Sequence, residues 1–135
     1  MRTLVLAVGR LRPPFADDVQ HYRKLLARHA RVEVVELRLE ESVERRIPPD
    51  AFVCALDSDG DALDSMAWAR FLEERRQSRR DLCFVIGGPR GLEFERCDRR
   101  LSFGPITLPH QLARVVLLEQ LYRANKIIAG EPYHY

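Results

Sequence analysis

FVIGGPRGL (residues 84–92) and LSFGPITLPHQLARVVLLEQLYRA (residues 101–124) are the stretches that decide the fold of this chain. In the first, an apolar run breaks at glycines, which reads as a buried strand, Asp81 to Ile86, with its exit loop. In the second, a short strand from Arg100 to Phe103 meets a loop stiffened by Pro105 and Pro109. A long apolar helix follows, from His110 to about Ala129, and Gly130 ends it. One helical turn is expected between the two stretches, over Glu93 to Asp98.

The same alternation repeats upstream. TLVLAV (residues 3–8) is a buried strand ending at Gly9. Pro13 and Pro14 open a helix from Phe15 to His29, since proline is tolerated in a first turn. Its apolar members Phe15, Val19 and Tyr22 recur at helical spacing, and Asp17 and Asp18 suit its positive end. A strand over Arg31 to Leu39 leads into a charged linker, Glu40 to Asp50. Ala51 to Leu56 is the next strand, and Asp57 to Asp61 reads as turn chemistry. A helix capped by Asp64 or Ser65 runs to about Gln77 and exits through the basic patch of Arg75, Arg76, Arg79 and Arg80. Strand–helix alternation predicts an α/β fold, one domain over residues 1–135, with a mostly parallel sheet and helices on both faces. Ligands of such sheets bind beyond the carboxyl ends of the strands. The loops after Leu56, Ile86 and Phe103 are therefore the expected site.

Bulk properties bound the function only loosely. A net charge of +2 neither demands nor excludes a nucleic-acid partner. Only Lys24 and Lys126 among the 22 basic residues are lysine, a bias for which genome composition is the simpler account. Cys54, Cys83 and Cys97 form no CxxC pair, so no disulfide framework is expected. His21, His29, His110 and His134 lack metal-ligand spacing, so no metal is expected. No apolar run approaches the ~18 residues of a membrane span, and the N-terminus lacks a signal-peptide pattern. A cytoplasmic protein is the default expectation.

The motifs admit two readings each. GGPRG lacks the spacing of the dinucleotide and phosphate-binding loops. Its glycines serve either a tight turn or a ligand lying against bare backbone. PITLPH is either a connector or a rigid loop whose backbone groups can read an adenine edge. The last helix is apolar nearly all round, so it packs on the sheet and, on its other side, against a second subunit. Leu117 or Leu121 is expected in or beside that contact. Arg114, Glu119 and Arg123 interrupt the apolar surface; exposed ends or surface ion pairs are their usual fate, and an arginine buried near the ligand loop is the less common alternative. The tail, Glu131 to Tyr135, carries two tyrosines and a histidine, and that composition suggests a docked terminus.

FVIGGPRGL, LSFGPITLPHQLARVVLLEQLYRA and the closing PYHY together resemble the RlmH family, the bacterial large-subunit ribosomal RNA pseudouridine N3-methyltransferases of the SPOUT superfamily. LAVGRLR near the start and LDSDG at residues 56–60 fit the same pattern, so the resemblance covers the whole chain. It implies a C-terminal trefoil knot, S-adenosylmethionine as methyl donor, ribosomal RNA as substrate, and a homodimer with the site near its interface. By motif, Leu56, Gly87, Phe103, Gly104, Pro105, Ile106, Thr107 and Leu108 correspond to cofactor contacts, and Arg123, Tyr133 and His134 to residues facing the RNA base. The chain departs from the pattern in a short 40–50 region, at Arg90, at Gly104-Pro105 and at Tyr135. Alternatives are a SPOUT methyltransferase with another RNA target, or a non-catalytic ribosome-binding or assembly factor.

Overall fold

The computed structural model describes residues 1–38, 43–87 and 96–133. The elements follow in the order β1 (Arg2–Val8), α1 (Phe15–Leu26), β2 (Arg31–Leu37), α2 (Val43–Arg46), β3 (Phe52–Ala62), α3 (Ser65–Ser78), β4 (Leu82–Ile86), β5 (Arg99–Ser102) and α4 (His110–Ala129). The strands form one parallel sheet in the order β2-β1-β4-β3-β5.

Period-two alternation sorts the strand side chains between two cores. Val5, Ala7, Cys54, Phe84 and Leu101 point to the face covered by α1, α3 and α4. Leu4, Leu6, Val53, Ala55 and Val85 point to the other. Both faces of a parallel sheet must be covered, but the cover is unequal. All three long helices lie on the first face. Among the described residues, the second is covered by Val43 of α2 with Ile47 and Ala51.

Three expectations need correction. The charged linker holds a one-turn helix, α2, because the buried Val43 and Ile47 anchor it to the sheet. Asp57 to Asp61 is not simply a turn but part of an eleven-residue strand, β3, whose register against β5 shifts between Leu56 and Asp61. Gly60 permits that shift, since a Cβ there would lie 2.7 Å from the carbonyl carbon of Arg100. Finally, α1 stops at Leu26 rather than His29, because the amides of His29 and Ala30 both turn back to the Leu26 carbonyl. Of the turn expected over Glu93 to Asp98, residues 93–95 lie outside the described residues. Asp98 pairs with Val53, its carboxylate accepting from the Val53 amide at 2.8 Å. Any knot depends on the path of residues 88–95, also outside the described residues.

Candidate functional site

The strand register gathers the expected cofactor residues at the carboxyl edge of the sheet. Leu56 sits opposite both Ile86 and Leu101. The next residue after Ile86 is Gly87, and Phe103 lies two beyond Leu101, so Leu56, Gly87 and Phe103 share one edge. Gly88 to Gly91 lie outside the described residues. The loop from Gly104 to Pro109 is shaped by Ser102, a buried hydroxyl that accepts from the Gly104 amide at 3.0 Å and donates to the Gly104 carbonyl at 2.7 Å. Gly104 has φ +115, and nothing lies within 4 Å of where its Cβ would be. Pro105, Ile106 and Thr107 face solvent, with Ile106 65% exposed. Phe103 and Leu108 do the opposite. The Phe103 ring stacks on Trp68 at 5.9 Å, and Leu108 packs against the core. These two, both half-buried, anchor the loop to the core. An open backbone beside one exposed apolar side chain suits an adenine-bearing donor.

The N-terminal turn of α4 brings in residues that sequence reasoning missed. Arg114 is 1% exposed, the less common of the two fates that its place on an apolar helix allowed. Its Nη2 donates to the Val8 carbonyl at 3.0 Å and the Gly9 carbonyl at 2.6 Å, and its Nη1 lies 3.6 Å from Glu36. Burial lowers its pKa, and the Glu36 carboxylate opposes that shift. His110 sits beside it, and burial, then Arg114, lowers the imidazole pKa. The Arg12 amide donates to Gln111 at 2.6 Å, so the β1–α1 loop is tied to α4. Spacing held the clue. Arg114 is three and four residues before Leu117 and Leu118, on the helix stripe that faces the core.

The expected RNA-facing groups form a second cluster at the other end of α4. Gly130 closes the helix with φ +68, and the Glu131 amide folds back to the Lys126 carbonyl at 2.9 Å. Lys126 then grips Glu131 at 2.7 Å. The turn sets Tyr133 edge-on to Tyr122, with ring centroids 5.1 Å apart, and beneath the Arg123 guanidinium at 4.3 Å. Arg123 is held from behind by Glu119 through Nε at 2.9 Å and Nη2 at 2.6 Å. Burial, and then the Glu119 charge, push the Tyr133 phenol up to about 12. It is therefore a neutral hydrogen-bond donor at neutral pH. Tyr22 of α1 adds to the same upward shift. Glu119, Tyr22 and Tyr122 were not singled out for this site, although Glu119 stands four residues before Arg123, the spacing of a helical ion pair. His134 lies outside the described residues.

The two clusters do not meet within one chain. Arg123 is thirteen residues beyond His110 on α4, roughly 20 Å along a helix at 1.5 Å per residue. Tyr122 contacts His29, just before β2 begins, with centroids 5.8 Å apart. The C-terminal end of α4 thus lies toward the amino edge of the sheet, away from the cofactor loops. Leu117 and Leu121, expected at a subunit contact, are 0% and 2% exposed in the chain's own core. Leu112 and Val116 are half-buried and belong to neither core among the described residues.

Among the described residues, no three His, Cys, Asp or Glu side chains group to hold a metal ion. No helix there is long and apolar enough to cross a membrane.

Comparison with known proteins covers the whole of this arrangement. Residues 1–134 match the model of a family described as predicted SPOUT methyltransferase. A protein of Gemmatimonas aurantiaca named ribosomal RNA large subunit methyltransferase H is 42% identical, over 99% of this chain and 99% of its own length. Proteins of the same name from Acidiphilium cryptum and Rubrobacter xylanophilus are 45% and 44% identical. They cover 98% and 99% of this chain, and 93% and 98% of their own lengths.

Proposed function

Since the chain belongs to the SPOUT methyltransferases, and among them to the family of ribosomal RNA large subunit methyltransferase H, we propose that it methylates large-subunit (23S) ribosomal RNA at N3 of a pseudouridine, with S-adenosylmethionine as donor. Full-length identity above 40% to relatives bearing that name is the observation that carries the reading. The protein would act as one domain, in the cytoplasm where ribosomes are.

The loops at Gly87 and at Gly104 to Leu108 would hold the donor, chiefly through backbone. The donor supplies a methyl group already activated by its sulfonium, so no metal is required. The acceptor N3 carries a weakly acidic imide proton that must leave as the new bond forms. Arg123 stabilises the resulting anion electrostatically. Its bidentate hold on Glu119 and its stack on Tyr133 keep the guanidinium oriented without rearrangement. Tyr133, a neutral phenol, orients the base by hydrogen bonding, and His134 passes the proton to water.

The separation of about 20 Å along α4 supports a shared site. A twofold dimer that pairs the α4 helices antiparallel sets the donor loop of one subunit against Arg123 and Tyr133 of the other. Leu112 and Val116, rather than Leu117 and Leu121, would form the contact.

The direct test is methyl transfer from labelled donor to large subunits prepared from cells without the endogenous enzyme, with the product nucleotide mapped by mass spectrometry. N3-methylpseudouridine is the expected product. A methyl group on another nucleotide makes the chain a SPOUT enzyme with a different target. Absence of donor binding by calorimetry makes it an assembly factor.

A further inference from the structure

The basic patch at the end of α3 is not merely a solvated helix end. Arg75 lies over the Phe52 ring with Cζ 4.0 Å from the centroid, and Arg80 lies over the same ring at 5.6 Å. Phe71 is 6.1 Å from Phe52, and Arg99 lies over it at 5.3 Å. Three arginines, one from α3, one from the α3–β4 connection and one from β5, therefore share a two-ring platform. A guanidinium stacked on a ring loses less freedom on binding an anion. Arg80 spends Nε on the Asp50 carbonyl at 3.0 Å and Nη2 on the Ala51 carbonyl at 3.1 Å, so it brings its charge and only part of its edge. Arg79 extends the group, and its side chain is exposed. Its φ is +62, a conformation in which glycine is the ordinary residue after a helix. Pro48, Pro49, Asp50, Ala51 and Asp81 join Arg79 and Arg80 around an open cleft of about 340 Å³.

Acidic groups stand among these arginines: Asp50 and Asp81 line the cleft, and Asp81 lies 3.8 Å from Arg2. Asp98 stands 3.9 Å from Arg80, and Asp61 is 3.5 Å from Arg99 and largely exposed. The platform lies at the amino edge of the sheet, where α3 ends and β3 begins. The C-terminal end of α4 points to the same edge. Arg76, within the patch, hydrogen-bonds Asn125, two residues past Arg123. Asn125 is buried and faces α3, whereas Arg123, two residues earlier, turns to another side of the helix, so the two basic groups share the amino edge of the sheet on different flanks of α4.

We propose that the Arg75–Arg79–Arg80–Arg99 platform is a second RNA contact, which grips sugar-phosphate backbone of the large-subunit RNA beside the nucleotide held at Arg123 and Tyr133. This rests on the rRNA methyltransferase reading and extends it from the base to the backbone. Phosphate is the ligand that fits, since stacked arginines offer donors without any groove that would read base edges.

The test uses the full-length protein and purified large ribosomal subunits, with binding followed by sedimentation across a salt series and methyl transfer measured alongside. The triple variant R75A/R79A/R80A raises KM for subunits about tenfold or more near 0.15 M salt, with kcat and donor affinity held within about twofold. The slope of log affinity against log salt falls by about 2–3, roughly 0.7–0.9 for each of the three backbone contacts removed. Arg79→Gly keeps the test sound if the triple variant folds poorly. It raises the melting temperature by relieving the left-handed arginine, and it still weakens subunit binding about threefold. Wild-type subunit affinity and salt slope in both variants overturn the proposal. A raised KM with an unchanged slope also overturns it, because a ribosomal protein then occupies the platform. If the wild-type chain binds subunits but transfers no methyl group, the enzymatic reading fails, and the binding series still decides the platform.

Discussion

The two edges of the sheet use arginine in opposite ways. At the carboxyl edge, Arg114 is sealed inside the fold, and its donors go to the carbonyls of Val8 and Gly9. At the amino edge, Arg75 and Arg80 lie flat on Phe52, and Arg123 lies flat on Tyr133 with Glu119 behind it. The first arrangement consumes hydrogen-bonding capacity to hold a loop. The second orients the cation against an aromatic ring and keeps it nearer the surface, where its charge can meet a ligand. The same residue type is a staple at one edge and a receptor at the other, and the local partner decides which.

The comparison can be broken most severely at the receptor end. Arg123→Ala is expected to slow methyl transfer by about 10²–10³-fold, the scale of one oriented charge at a developing anion, while donor affinity measured by calorimetry stays near wild type. Loss of donor binding instead would move Arg123 to the cofactor side. Next comes Arg114→Met, which leaves two carbonyls and a carboxylate short of a donor. It should cost about 2–3 kcal/mol of stability, read as a lower denaturant midpoint. Arg75→Met should cost under about 0.5 kcal/mol, as a surface change. Equal losses at the two positions would erase the distinction between staple and receptor.

The separation of the edges sharpens further in mixed dimers. Gly104→Val places a branched side chain at a positive φ in the donor loop and is expected to abolish donor binding. Mixing that variant with Arg123→Ala, each inactive alone, should restore roughly a quarter of wild-type activity, since half of the random dimers carry one complete site. No recovery after subunit exchange would confine each site to a single chain. The smallest effect concerns pH. The folded-state pKa of His110 is lowered by burial and by Arg114. The unfolded chain therefore takes up a proton first, and stability is full above the ordinary imidazole pKa, about 6.5, and declines as pH falls below it. His110→Gln should flatten that decline in urea titrations between about pH 6.5 and 5. An unchanged slope would assign the acid sensitivity elsewhere.

Much of the fold was legible because its signals are local. Apolar runs bounded by glycine and proline located every strand to within a few residues, apart from the far end of β3. His110 to Ala129 was read with both bounds correct, because Pro109 opens that helix and Gly130 closes it. The Asp64 cap was equally readable, its carboxylate accepting from the Ala67 amide at 2.8 Å. The α2 turn was hidden, because four residues of charged sequence carry no period. Only the pull of Val43 into the second core makes them a helix. The extension of β3 was hidden as well. Turn-forming residues became strand because β5 lies alongside to pair with them.

The sequence by itself determined the element order, the three strand-end loops and the family, since each rests on short-range pattern or on motif. It also singled out the strand-end loop residues and Arg123 and Tyr133, but not the partners that hold them. Tertiary structure alone decided that Arg114 is buried and that Leu117 and Leu121 belong to the chain's own core. It alone put the Gly104–Pro109 loop and Arg123 at opposite edges of the sheet, and gathered Arg75, Arg80 and Arg99 on two phenylalanine rings. These are contacts between residues distant in sequence. Their energies come from burial and from charge at close range, and neither is set until strand order and helix packing bring the partners together.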